Sequence, residues 1–148
     1  MEGAIFGCPA GWAGWLPPGC RRLTAAEELG DRAWMLLALT ASGCERMGGR
    51  TVRCRTLLVP GDCSPAQLAC VRAENVISYG LSHRDSLTLS SLRSPVLCVQ
   101  RALPRPDGGV VEPQEFPLPD MRLPIDDLLP LLGLRLLQMP LTEAISLW

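Results

Sequence analysis

The apolar positions change their period several times along the chain, and each change predicts an element. Ala4-Ile5-Phe6 is a short apolar run that predicts a strand. The rest of residues 1–20 reads as loop, with Gly3, Gly7, Gly11, Gly14 and Gly19 around Trp12 and Trp15. Leu29, Ala33, Leu36 and Leu37 then recur at helical spacing, with Trp34 as a core residue beside them. Thr24 and Glu27 stand at the T-x-x-E spacing of a capping box, so a helix is expected from Thr24 to a stop at Gly43.

Thr51 to Val59 alternates Arg53 and Arg55 with Val52 and Cys54, then turns fully apolar at Leu57-Leu58-Val59. That is the pattern of a strand running into a buried sheet. Pro60-Gly61-Asp62 ends it. A short helix is expected over Ser64–Ala73, with Ser64 as N-cap, Pro65 in the first turn, and Leu68 and Val71 facing inward. Val76-Ile77-Ser78-Tyr79 predicts a second buried strand. Strand, short helix and strand in this order form a βαβ unit, whose strands are parallel and whose crossover is right-handed.

From Ser86 the texture is different. Ser86 to Leu92 alternates, Pro95 to Ala102 predicts another strand, and Val110 to Phe116 a third, with Asp107-Gly108 as a hairpin turn. Pro113 and Pro117 suit an edge. Pro124 opens a C-terminal helix, with Asp126 and Asp127 at its positive end. Leu128, Leu129, Leu131, Leu132, Leu134, Leu136 and Leu137 cover most of its circumference, Gly133 weakens it, and Met139-Pro140 ends it. Leu141 to Trp148 reads as one more short helix. Residues 1–148 are therefore expected to form a single α/β domain. Its small two- or three-layer sheet holds the parallel βαβ unit at about 51–80 and an antiparallel edge meander at 86–118, with helices at the C-terminus. A helix apolar on so many sides is buried on both, or it forms a homo-oligomer interface.

Composition narrows the function classes. Hydrophobic residues make up 47% and charged residues 20%, which favours a globule over a disordered chain. The net charge of −1 gives no long-range attraction for nucleic acid or an anionic membrane. All fourteen cations are arginine, as expected from a GC-rich genome, so lysine chemistry is excluded: no Walker-A lysine and no Schiff base. Seven cysteines without a C-x-x-C spacing, beside a single histidine, argue against a metal site and for buried free thiols in a reducing cytosol. The stretch after Met1-Glu2-Gly3 lacks a basic n-region, so no signal peptide is expected. Ala41-Ser42-Gly43-Cys44 imitates a lipoprotein cleavage box, but Glu27, Glu28 and Asp31 precede its apolar run and the cysteine lies deep in the chain. No run approaches the roughly 18 apolar residues of a membrane span, and a cytoplasmic protein is expected.

Candidate chemistry is sparse. No G-x-G-x-x-G or G-x-x-x-x-G-K loop cradles phosphate. His83-Arg84-Asp85 spells the kinase catalytic triplet without its companion motifs and reads as a solvated turn. His83 could meet Cys63 or Cys70 as a thiol–imidazole couple only if the fold joined them. Among Asp62, Asp85, Glu112 and Glu115, Asp62 stands out because it follows a buried parallel strand, where open α/β sheets bind ligands. The plainer reading is an Asp capping the Ser64–Ala73 helix. Asp62, Tyr79, His83 and Asp85 are the candidate ligand-binding residues; no catalytic residue, cofactor or metal is assigned.

The order of segments carries a resemblance. Leu57-Leu58-Val59-Pro60-Gly61-Asp62 is similar to the V-L-N-A-D-D-P segment of Mur ligases, the ATP-dependent amino-acid ligases of peptidoglycan synthesis. Val76-Ile77-Ser78-Tyr79-Gly80-Leu81-Ser82 resembles their V-I-T-Y-G-L, and an excursion with a D-G turn follows in both. Phe116-Pro117-Leu118-Pro119 resembles L-P-L-P-G. Met139-Pro140-Leu141-Thr142-Glu143-Ala144-Ile145 resembles the G-I-P-L-E-E-I tail after a long helix. The likeness spans the second half of that family's central ATPase domain. It departs where chemistry resides: the G-T-N-G-K-[ST] loop is absent, the Asn of N-A-D-D-P is Val59 or Pro60, and the H-N-x-x-N start of the long helix is Arg122 to Asp127. The resemblance implies a truncated bacterial relative that kept the sheet and lost acyl-phosphate formation, acting by association or small-ligand binding. An enzyme with a nucleotide or sugar-nucleotide site at the same strand ends is the alternative.

Overall fold

The computed structural model describes residues 2–30, 32–90, 95–118 and 123–144. Strands β1 (Gly3–Phe6), β2 (Cys20–Leu23), β3 (Trp34–Leu39), β4 (Val52–Pro60), β5 (Val71–Tyr79), β6 (Leu87–Leu89), β7 (Val96–Val99) and β10 (Gln114–Pro117) form one mixed sheet, in the order β10-β7-β6-β5-β4-β3-β1-β2. From β2 to β6 all neighbours are parallel; β7 is antiparallel to both β6 and β10. β8 (Leu103–Pro104) and β9 (Val110–Val111) pair separately around Asp107-Gly108, where Gly108 takes a φ of 93° that suits glycine. Helices α1 (Ala41–Glu45), α2 (Ile125–Gln138) and α3 (Leu141–Ala144) complete the α/β fold. The expected edge meander is present, and β10 with Pro117 is the outermost strand.

The helix expected from Thr24 to Gly43 does not form. Glu28, rather than Glu27, turns back to accept the Thr24 and Ala25 N–H groups at 3.1 and 3.0 Å, closing a single 3-10 turn over Ala26–Gly30. The following run, Trp34 to Leu39, is β3. Leu36, Leu37, Ala38 and Leu39 are fully buried because β1 and β4 flank the strand and side chains pack on both faces. Leucines at helical spacing within a continuous apolar run fit either structure. Trp34 is core as expected, its Nε1 donating to the Leu29 carbonyl at 3.0 Å. Gly43 is no helix stop. It lies inside α1, where a Cβ would run into the Phe6 carbonyl. Thr40 Oγ1 caps α1 by accepting the Gly43 N–H at 3.1 Å, and it donates to the Gly7 carbonyl at 2.9 Å.

The Ser64–Ala73 helix also fails, although its cap forms. Ser64 Oγ accepts the Gln67 N–H at 3.2 Å, and Gln67 Oε1 accepts the Ser64 N–H at 3.0 Å. The chain then makes i to i+3 turns, Leu68 to Pro65 and Val71 to Leu68, and enters β5 at Val71. The unit is strand, turns, strand, and its two strands are parallel over nearly their whole length, from Val52↔Val71 to Pro60↔Tyr79.

Each face of the sheet carries a core. On one face Ile5, Leu36, Ala38, Leu58, Ile77, Leu87 and Leu97 meet α2; on the other Ala4, Phe6, Leu37, Leu39, Leu57 and Val59 meet α1 and the 3-10 turn. The ladders skip the row of Met35, Arg55 and Glu74, and side-chain facing switches there. Below it Cys54 shares a core with Trp34; above it Leu58 shares one with Leu36. The change from alternation to continuous burial along β4 reflects this switch.

The seven leucines of α2 are 0–2% exposed. The sheet covers one side; Trp12, Leu103, Val111 and Ala144, with Trp15 and Leu16 partly buried, belong to the same cluster. The apolar surface that made α2 a candidate association face is therefore covered within the chain. Gly133 is there for close approach: a Cβ would sit 2.8 Å from Leu58 Cδ2 and 3.1 Å from Leu87 Cδ1. Arg135, 8% exposed, donates to the Ala144, Trp15 and Glu143 carbonyls at 2.7, 2.8 and 3.2 Å, tying α2 to α3 and to the N-terminal loop. Burial lowers its pKa. Expectations on Leu92, Pro119, Arg122 and 145–148 lie outside the described residues. None of the described helices is long and apolar enough to cross a membrane.

Candidate functional site

Parallel strands that stop together leave a crevice at their carboxyl ends, because each chain turns away to a different side. Here β3, β4 and β5 stop at Leu39, Pro60 and Tyr79, and a cavity of about 550 Å³ opens there. Asp62, Tyr79 and Asp85 line it, together with Ser82, Arg84 and Leu129 of α2. His83 does not. It is exposed, and its carbonyl accepts Gln100 Nε2 at 3.1 Å.

Tyr79 is 6% exposed and donates its hydroxyl to the Leu39 carbonyl at 2.7 Å, across the end of β4. It offers the cavity a ring wall. Asp85 is 5% exposed. Its Oδ2 accepts the Ser82 N–H at 3.1 Å, while the Asp85 N–H donates to the Ser82 carbonyl at 3.0 Å, closing a tight turn. The carboxylate lies against Gly61 and Gly80, where a Cβ at either position would collide with it. Gln100 donates to the Asp85 carbonyl at 2.7 Å and Arg101 to the Arg84 carbonyl at 2.9 Å. The His83-Arg84-Asp85 triplet is thus a solvated turn, fastened to the end of β7 and presenting one buried carboxylate.

Asp62 is exposed at the rim and has no helix to cap; Ser64 supplies the cap of the single turn instead. The Arg84 guanidinium makes no ion pair among the described residues. Among the described residues the lining carries two carboxylates, one arginine, a serine hydroxyl, and the apolar surfaces of Tyr79, Leu81 and Leu129. It can accept hydrogen bonds from hydroxyl or amino groups and pair with an anion. It holds no histidine or thiol. Cys63 Sγ donates to Gln67 Oε1 at 3.4 Å and lies by Cys44, so it is engaged away from His83. Cys70 is exposed, against the expectation that every thiol is buried; Cys8, Cys44 and Cys54 are buried, and all seven are free. Burial pushes the Cys44 thiol strongly up, with Cys63 and Asp62 adding to it. Among the described residues no three His, Cys, Asp or Glu side chains gather to hold a metal.

Ser82, Arg84 and Leu129 escape sequence reasoning for two reasons. Arg84 is hidden inside a triplet read as a plain turn, and Leu129 is one leucine among many. The third strand end is missed because β3 reads as helix. The chain matches no family model, no curated protein and no solved structure.

Proposed function

We propose that this chain is a non-catalytic binding module that takes a small polar ligand at the carboxyl ends of β3, β4 and β5. The supporting observation is the cavity of about 550 Å³, which falls within the several hundred Å³ usual for ligand sites. Its walls bring Asp62, Asp85 and Arg84 together, and no nucleophile–base couple stands among the described lining residues. The order of segments from Leu57 to Ile145 supports a Mur-ligase-like scaffold of bacterial origin. The missing phosphate loop supports loss of ATP-driven ligation, and the free thiols support a reducing, cytosolic setting. A second reading is an enzyme that binds a nucleotide or sugar-nucleotide in the same cavity. Arg84 favours it, since its fork fits a phosphate while the carboxylates accept ribose or sugar hydroxyls.

Thermal unfolding tests both readings. ATP, UDP-N-acetylglucosamine and free amino acids, each at millimolar concentration, are screened against wild type, Asp85→Asn and Arg84→Gln. A ligand at 100 times its Kd adds about 2.7 kcal/mol, a Tm rise of several degrees. A rise in wild type that is lost in both variants is expected. No shift from any class, or a shift untouched by either substitution, removes the site. Turnover of a nucleotide that also raises Tm selects the enzyme.

A further inference from the structure

The other pole of the same strands holds an unexplained charge arrangement. Arg53 of β4 and Arg72 of β5 are partners in the parallel register, and both are exposed. Their strands lie about 4.8 Å apart, so the two side chains leave the same face side by side. Like charges across a ladder are destabilising. An arginine cannot relieve this by losing its proton.

The surroundings show how the chain treats arginine elsewhere. In the next row, Arg55 pairs with Glu74 at 3.3 Å. Nearby, Arg50 pairs with Glu27 at 3.0 Å, Arg32 with Glu2 at 3.2 Å and Arg21 with Glu2 at 3.7 Å. Arg53 and Arg72 have no carboxylate partner among the described residues. Arg53 sits between buried Val52 and Cys54, at 1% and 7% exposure, and Arg72 between half-buried Val71 and Ala73, which pair with them in the register, so the backbone holds the two arginines side by side. Beside Arg53 opens a second cavity of about 340 Å³, lined by Leu29, Gly30, Arg32, Ala33, Thr51 and Arg53.

We propose that Arg53 and Arg72 form a binding site for a phosphate dianion, either free or as a monoester. Two planar guanidinium forks on neighbouring strands can each give paired N–H donors to a tetrahedral oxyanion, and its charge offsets their repulsion. A small ligand fits better than a nucleic acid, because the net charge is −1 and Glu74 lies in the next row of the ladder. This site is separate from the cavity at the carboxyl ends and stands or falls without it.

The test is thermal unfolding and calorimetric titration of the full chain with inorganic phosphate and with glucose 6-phosphate, ionic strength being held constant with sodium chloride. A saturable rise in Tm with phosphate is expected; the monoester arm separates a free from an esterified ligand. Arg53→Gln and Arg72→Gln should each weaken phosphate binding about tenfold or more. Arg72→Glu should abolish the response and, by pairing with Arg53 as Glu74 pairs with Arg55, raise the low-salt Tm of the protein alone. That rise also reports that the variant is folded. A non-saturating rise matched by chloride, or an equal response in the Arg53 and Arg72 variants, would overturn the site.

Discussion

Asp85 is the residue on which the cavity wall closes, and two glycines make room for it. Its carboxylate occupies the space that a Cβ at Gly61 or Gly80 would need. Gly61→Ala should therefore cost about 1–3 kcal/mol through overpacking. Asp85→Ala should cost about 1–2 kcal/mol by leaving the Ser82 N–H without its partner. With Asp85 truncated, the alanine at position 61 has somewhere to go, so the double variant should lose at least about 1 kcal/mol less than the sum. Urea unfolding of the four proteins measures this; simple additivity would mean the carboxylate does not fill that space. Asp62, Tyr79 and Asp85 could be named from the sequence because residues just past parallel strand ends converge wherever the strands are neighbours. His83 could not be placed, since side-chain direction within a turn follows no period. Arg84, one position on, lines the cavity that His83 misses.

Elements were legible where period and punctuation agreed. The β4 and β5 strands, the Asp107-Gly108 hairpin and α2 all follow from apolar runs bounded by Gly, Pro or Asp. Capping signals were more deceptive. Thr24 and Ser64 each start one hydrogen-bonded turn, and each turn is then drawn into a strand because β3 and β5 gain more by joining the sheet than a short helix gains alone. Gly133 shows the same dominance of tertiary packing within α2. Helix propensity alone makes Gly133→Ala favourable by up to about 1 kcal/mol. The methyl would meet Leu58 and Leu87 on β4 and β6, and overpacking costs about 1–3 kcal/mol. The net effect should be destabilising, with α2 pushed off the sheet. Chemical unfolding reads the sign directly, and a stabilised variant would show that α2 does not seat as closely as its glycine suggests.

For the molecule as a whole, composition and fold meet in the alkaline range. Burial pushes the thiols of Cys8, Cys20, Cys44 and Cys54 up, Cys20 and Cys54 to about 12. In the unfolded chain a thiol titrates near 8.5. Below that pH both states keep their protons and stability does not depend on these groups. Above it the unfolded chain releases protons that the folded chain retains, until the folded groups titrate as well. The unfolded state then binds fewer protons, and stability falls with pH by up to about 1.4 kcal/mol per unit for each well-shielded thiol. Most proteins titrate many lysines in this window, which blurs any such slope. This chain has none, and a single tyrosine, so the cysteines dominate. Urea unfolding under a reductant should show a continuous loss of stability from pH 8.5 to 10.5. Two shielded thiols alone would remove several kcal/mol over that range, a large part of an ordinary domain's total. Cys54→Ala should flatten the slope by one thiol's share, whatever it does to stability at neutral pH, because only the slope counts protons. A profile level to pH 10.5 would mean that water reaches these thiols and that the two cores are looser than their packing indicates.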